Sequence, residues 1–198
     1  DAPAKPAASR LWRWAPAIAL AVLVGLAYAG GLHRHISLTS LADHRDALKT
    51  FVADHWLVAL LCYVAVYVAI TVAALPVAAV ISIAGGFLFG WMVSAPLSVM
   101  AATLGATLAF TIVRTSAGRA LAARAGPMVT RLQNGFAQDA FPYLLALRLM
   151  PVVPFFVVNV VAALSCMRTG TFAAATAIGI IPGAIAYAWL GTGLDSVI

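Results

Sequence analysis

One arginine, Arg148, is the only charged residue in the apolar stretch 141–167. A guanidinium at membrane depth costs from roughly 2.5 to more than 10 kcal/mol, depending on how freely it reaches water or lipid phosphate. Such a residue normally faces a protein interior or a water-filled cavity and has a partner there. Pro151 and Pro154 follow it and interrupt a straight helix, because proline lacks the backbone N–H. With Asn159, these residues predict a broken, membrane-embedded hairpin that binds an anion.

The composition is typical of a membrane protein rather than a soluble domain. Of the 198 residues, 64% are hydrophobic and only 9% are charged, and the mean hydropathy is +1.01. Soluble domains carry about 25% charged residues, so we expect one membrane domain and no separate soluble module. The net charge of +6 comes from 12 Lys and Arg against 6 Asp. We interpret this excess as interfacial and topological, and we expect no nucleic-acid partner.

The first part of the chain predicts two peripheral elements. A basic tail, residues 1–13, precedes an apolar run at 14–32, which is long enough to cross a bilayer. Its basic flank and an Ala-Tyr-Ala motif also resemble a signal peptide, but we favour a retained anchor helix. Residues 33–56 have apolar side chains at helical spacing. They predict an amphipathic helix, either in the membrane interface or packed on the domain.

Residues 57–193 predict the main membrane domain, and its first 57 positions contain no charged residue. We predict spans at 57–75 and 95–113, separated by a short apolar piece at 76–91. A piece this short fits a re-entrant hairpin better than a full crossing. The alternative is that its small residues serve close helix packing alone. Its helix-breaking residues are Pro76, Gly85, Gly86 and Gly90.

The second part of the domain predicts a basic connector, a second hairpin and a last span. The connector, 114–139, contains four arginines and one aspartate. We interpret its charge as a topological signal or as a surface for phosphate headgroups. The second hairpin covers 141–167. The last span covers 171–190, with an interruption at Pro182, and a short tail follows at 194–198.

A spacing of 29 residues recurs in the two halves of the domain. Pro76 precedes Gly105 by 29 residues, and Pro154 precedes Gly183 by the same interval. If one crossing separates the two hairpins, they enter the membrane from opposite faces, as in the inverted repeats of many transporters. The expected fold class is therefore an all-α integral membrane protein. It combines an inverted repeat of re-entrant helical hairpin plus transmembrane helix with an N-terminal anchor helix and an amphipathic helix.

One set of residues in each hairpin carries a family resemblance. The second-hairpin set is Arg148-x-x-Pro151-x-x-Pro154-Phe155 with Asn159, and the first-hairpin set is Pro76, Gly85, Gly86 and Gly90. The chain resembles the DedA/VTT-domain superfamily (the SNARE-associated Golgi protein group), and in particular its bacterial branch, over roughly 57–193. This resemblance implies re-entrant hairpins and the movement of lipids such as undecaprenyl phosphate or phospholipids across the bilayer. It also implies that both sets, apart from Phe155, are substrate-binding residues.

One departure from the family concerns proton coupling. Typical members carry acidic residues in the membrane region, whereas here no Asp or Glu lies between residues 57 and 116 or between 140 and 194. A carboxylate proton relay therefore lacks its residues. The nearest acidic partners for Arg148 in sequence are Asp139 and Asp195. We expect Arg148 to bind a lipid phosphate, and Asn159 to supply a neutral hydrogen bond.

The sequence favours lipid transport over other functional classes. An ion or small-solute transporter would use the same hairpins but needs a continuous polar path. A structural Arg148 would instead bond hairpin carbonyls. No paired carboxylates, metal-spaced histidines or nucleophile–base set favours an enzyme. We expect no enzyme activity, cofactor or metal, membrane-lipid headgroups as partners, and the bacterial cytoplasmic membrane as the location. A homo-oligomer is left open.

Overall fold

The computed structural model describes residues 45–75, 77–117, 134–136, 138–150 and 153–195. These residues form helices and turns, with no strand among them, which confirms the predicted all-α class. The predicted basic tail 1–13, the anchor helix 14–32 and most of the basic connector lie outside the described residues. Pro76 and Pro151 lie outside them as well.

The described residues include seven α-helices. They are α1 (Arg45–Asp54), α2 (Trp56–Val72), α3 (Ala78–Phe89), α4 (Trp91–Ile112), α5 (Ala140–Leu149), α6 (Phe155–Leu164) and α7 (Thr169–Asp195). A π-helical turn, Val113–Ala117, continues α4. Two described helical stretches are long and apolar enough to cross a membrane, Trp91–Thr115 and Thr169–Leu194. The pair of α1 and α2 would make a third if it were one span, but the two helices meet at a 117° bend.

The bend between α1 and α2 separates a charged helix from an apolar one. In α1, Asp46 and Thr50 are exposed while Val52 is buried, as an amphipathic helix requires. This helix lies within the predicted segment 33–56, and its location in the membrane interface stays a prediction. The helix α2 contains no charged residue, so the change in composition coincides with the bend.

The short apolar helix α3 is one continuous helix of 12 residues with a sharp turn at each end. The turn before it contains Ala74 with a φ of 57°, and the residue after it, Gly90, has a φ of 74°. Glycine adopts this left-handed region without steric cost. The positive φ values therefore lie outside α3 and not within it. The re-entrant insertion of segment 76–91 and the inverted repeat stay predictions.

The last helix corrects one expectation. The sequence predicts an interruption at Pro182, whereas α7 continues through this residue from Thr169 to Asp195. Proline removes one N–H, which leaves the carbonyl of Ile178 without its helical donor. Membrane helices tolerate such a loss because neighbouring helices and polar side chains compensate the freed group.

The helices pack around α7, which contacts α3, α4 and α5 most extensively. One buried cluster joins α4, α5, α6 and α7, and in it the rings of Phe110 and Phe172 stack with centroids 4.4 Å apart. A second buried cluster joins α2, α3 and α4 around Tyr63, Tyr67 and Phe89. Because α4 contributes to both clusters, it connects the two halves of the domain.

Two glycines allow α3 and α7 to approach each other closely. A Cβ atom at Gly86 would collide with the backbone carbonyl of Ala188, and one at Gly191 would collide with the carbonyl of Ile83. The hydroxyl of Thr192 on α7 also donates to the carbonyl of Gly86 at 3.0 Å. Close helix packing, one of the two roles considered for the first-hairpin glycines, therefore accounts for Gly86.

The Gly86→Ala variant should lower the free energy of unfolding by about 1–3 kcal/mol, because the added methyl group forces α3 and α7 apart. Gly170→Ala is the matched control, since a Cβ there meets nothing within 4 Å. Thermal unfolding in detergent, followed by circular dichroism, measures both variants. Equal melting temperatures would contradict the close contact.

Candidate functional site

Arg148 lies in the last turn of α5, directly before the helix ends. The carbonyl groups at a helix C-terminus carry partial negative charge, which favours a cation at this position. The next helix, α6, starts after Pro154, whose carbonyl accepts from the N–H of Val157 at 2.9 Å. Proline suits a helix start because its φ is preset and the missing N–H is not needed there. The helix break thus falls where the prolines predict it.

Two neutral side chains hold one nitrogen of the guanidinium. Nη2 of Arg148 donates to Oδ1 of Asn159 on α6 at 2.6 Å and to Oγ1 of Thr176 on α7 at 3.1 Å. Both acceptors are buried, and Thr176 has no exposed surface. Asp139, which is closer in sequence, is instead exposed at the opposite end of α5. One nitrogen of Arg148 therefore joins α5, α6 and α7.

Two aromatic rings and a glycine define the path of the Arg148 side chain. Its Cζ lies 4.1 Å from the ring centroid of Phe155 and 5.6 Å from that of Phe172. Cation–π attraction acts over these distances. On α7, a Cβ at Gly179 would lie 2.5 Å from the Cβ of Arg148. The missing side chain at this position leaves room for the arginine between α5 and α7.

The remaining nitrogens of Arg148 have no hydrogen-bond partner among the described residues. Nε carries one N–H and Nη1 carries two, and both nitrogens are buried. A buried donor without an acceptor costs about 1–3 kcal/mol, and more when it is charged. Among the described residues, the guanidinium is therefore bonded through Nη2 and unsatisfied at Nε and Nη1.

Arg148 lines a cavity of about 470 Å³ between the two halves of the domain. The helices α2, α3 and α4 form one wall, and α5, α7 and the start of α6 form the other. Residues from the two interruptions between helices also line it, among them Leu75 before α3 and Pro154 before α6. Among the described lining residues, Arg148 is the only charged one. The cavity thus combines one cation with a mostly apolar lining.

A group of hydroxyl-bearing residues forms the polar part of the wall from α2, α3 and α4. We call it the hydroxyl wall, and it consists of Tyr67, Thr71, Ser82 and Ser98. The hydroxyls of Tyr67 and Ser82 lie 3.0 Å apart, and Thr71 donates to the backbone carbonyl of Tyr67 at 2.8 Å. Ser98 pairs with the hydroxyl of Tyr63 at 2.6 Å. The cavity lining therefore contains the hydroxyl wall as well as Arg148.

A family model of the VTT domain matches residues 75–193, which is more than half of the chain. The chain belongs to the VTT-domain family. This is the DedA/SNARE-associated family, whose members are generally membrane proteins of transporter type. Together with the long apolar helices, the match identifies an integral membrane protein. Searches of the curated proteins and of the solved structures gave no match.

The VTT domain brings together three of the residues that the sequence predicts to bind substrate. Arg148 and Pro154 line the cavity, and Asn159 binds Arg148. The three glycines of the first-hairpin set are outside the described cavity lining, in helix contacts or in a turn: Gly85 against the ring of Tyr63, Gly86 against α7, and Gly90 between α3 and α4.

Sequence reasoning missed Thr176 and the hydroxyl wall. A signal for part of the wall was present, because Tyr63, Tyr67 and Thr71 are spaced four residues apart in an otherwise apolar segment. Residues at this spacing lie on one face of a helix. Thr176 offered no such signal, because its contact with Arg148 joins residues 28 positions apart.

Thr176→Val should lower the free energy of unfolding by about 1.5–3 kcal/mol, because it removes an acceptor for a charged donor. Thr103→Val is the matched control, since the buried hydroxyl of Thr103 has no partner among the described residues. Denaturant unfolding in mild detergent gives both values. The assigned bond is wrong if the two substitutions destabilise the protein equally.

Proposed function

We propose that this protein moves lipids with a phosphate headgroup across the bilayer, and that Arg148 binds the phosphate in the cavity. The observation that carries the proposal is an arginine that lines a cavity and whose buried Nε and Nη1 are unpaired among the described residues. Membership of a family of transporter type supports it. Undecaprenyl phosphate and phospholipids are the proposed substrates, and the bacterial cytoplasmic membrane is the proposed location.

The donors of Arg148 are prepared for an anion before it arrives. A guanidinium forms strong, charge-assisted hydrogen bonds to carboxylate and phosphate oxygens. Because Asn159 and Thr176 already hold Nη2, little side-chain freedom remains to be lost on binding, and such preorganisation favours affinity. Because the lining is mostly apolar, it favours a phosphate that is attached to a lipid as the ligand over a free, hydrated anion.

The position of the cavity between the two halves of the domain supports a path for the headgroup across the bilayer. In transporters with inverted repeats, broken helices meet near the middle of the bilayer, and the substrate binds there. We propose the same arrangement for the breaks before α3 and α6, both of which line the cavity. The headgroup would cross through the cavity while the apolar tails stay in lipid. Binding to Arg148 offsets part of the cost of removing the phosphate from water, and no chemical step is needed.

The proposed mechanism involves no carboxylate proton relay. None of the described lining residues is acidic. The chain also contains no Asp or Glu between residues 57 and 116 or between 140 and 194. Headgroup movement would therefore not depend on the protonation of membrane-embedded carboxylates.

Arg148→Ala should reduce headgroup translocation by about 10- to 100-fold, the factor that corresponds to losing hydrogen bonds from a charged donor. Arg148→Lys should retain part of the activity, because it keeps the charge but loses the planar fork. Proteoliposomes containing labelled polyprenyl phosphate or phospholipid measure the rate for each variant.

Arg168→Ala is the matched control, because Arg168 is exposed and is not part of the described cavity lining. Its rate should equal that of the wild type. If wild-type vesicles move neither class of lipid, lipid transport is the wrong function. Ion flux in the same vesicles would then favour the alternative of an ion or small-solute transporter.

A further inference from the structure

Two neighbouring members of the hydroxyl wall, Tyr67 and Ser82, have a definite hydrogen-bond polarity. Ser82 Oγ donates to the carbonyl of Ala78 at 3.0 Å, and a carbonyl oxygen can only accept. The single proton of Ser82 is therefore used, so the contact between Tyr67 and Ser82 requires Tyr67 to be the donor. The proton of Tyr67 thus points to Ser82, and the lone pairs of its oxygen stay available.

The hydroxyl of Thr71 also has its proton in use and its oxygen available as an acceptor. Its Oγ1 donates to the backbone carbonyl of Tyr67 at 2.8 Å, which uses its only proton. Both Thr71 and Tyr67 line the cavity, although less than a tenth of each residue is exposed. The cavity therefore contains two buried hydroxyl oxygens that can accept a hydrogen bond but have no proton left to donate.

The Arg148 side of the cavity has the opposite polarity. A guanidinium has donors and no acceptor, and Nε and Nη1 are unpaired among the described residues. A headgroup that fits both sides must bring an acceptor for Arg148 and at least one donor for the hydroxyl wall. A phosphodiester group has no O–H at neutral pH and therefore satisfies only the first need. The second need is met by the group attached to the phosphate.

We infer that the cavity selects phosphodiester lipids whose terminal headgroup bears O–H or N–H donors, and that Tyr67 and Thr71 accept from those donors. This inference rests on the proposed function and narrows its substrates to phospholipids, since undecaprenyl phosphate is a phosphomonoester without such a headgroup. Glycerol and ethanolamine headgroups carry such donors, whereas choline carries none. With choline in the cavity, two buried acceptors stay unpaired, and this raises the free energy of the bound state.

The size of the cavity agrees with this assignment. Small-molecule sites generally occupy about 300–1,000 Å³, and the cavity of about 470 Å³ lies in the lower part of this range. It can hold a phosphate and a group of a few atoms while the acyl chains remain outside. Selection therefore concerns the headgroup and not the chains.

The test compares three lipids that differ only in the headgroup: phosphoglycerol, phosphoethanolamine and phosphocholine, each labelled on an acyl chain. Trace amounts are placed in proteoliposomes of one fixed lipid composition, and the translocation rate is measured. Wild-type protein should move at least one donor-bearing lipid about 5- to 100-fold faster than the choline lipid, the factor expected for unpaired buried acceptors. The glycerol and ethanolamine arms distinguish hydroxyl from ammonium donors.

Tyr67→Phe should lower this rate ratio without slowing the choline lipid, because it removes one of the two acceptors and keeps the ring. Tyr63→Phe is the matched control: Tyr63 also bonds a serine hydroxyl, at 2.6 Å, but it is not part of the described cavity lining. Its ratio should equal that of the wild type. Thr71→Val provides a second variant if Tyr67→Phe fails to fold, and it should also lower the ratio.

The outcomes separate this inference from the function on which it rests. If the wild type moves all three lipids at one Arg148-dependent rate, lipid transport stands and headgroup selection is overturned. Selection by the hydroxyl wall is also overturned if Tyr63→Phe changes the ratio as much as Tyr67→Phe does. If no lipid moves, both the transport function and its selectivity fail.

Discussion

The candidate site depends on the burial of one guanidinium. Nη2 of Arg148 is bonded to Asn159 and Thr176, so a single side chain ties together α5, α6 and α7. No carboxylate balances the charge among the described residues of the cavity, and two nitrogens remain unpaired there. A buried charge with incomplete compensation destabilises a protein. In the proposed function, a lipid phosphate that binds Arg148 recovers part of this free energy.

The long helix α7 determines how the cavity walls are arranged around that charge. It approaches α3 at Gly86 and Gly191, and it approaches α5 at Gly179, where the arginine stem lies. At each place a missing side chain permits a separation that a methyl group would prevent. Because α7 is in close contact with a helix from each wall, the hydroxyl wall and Arg148 line the same cavity.

Much of this arrangement could be predicted from local sequence. An isolated arginine and the prolines after it predicted a helix break, since proline geometry acts over a few residues, and the anion site stays a prediction. The interruption at Pro182 was predicted wrongly, because tertiary packing decides whether a membrane helix tolerates proline. The hydroxyl wall was missed, because the spacing of Tyr67 and Thr71 indicates only one helix face, and Ser82 and Ser98 join them through packing of other helices.

By itself, the sequence determined that the chain is an all-α membrane protein, and that its second half contains one arginine within a long apolar stretch. These properties depend on hydropathy and on residue chemistry, which need no neighbours. Only the tertiary structure decided that Asn159 and Thr176, rather than Asp139, bind Arg148. It also decided that Tyr67 and Thr71 line the same cavity. Hydrogen-bond partners and cavities depend on how distant segments pack, and no local pattern specifies that packing.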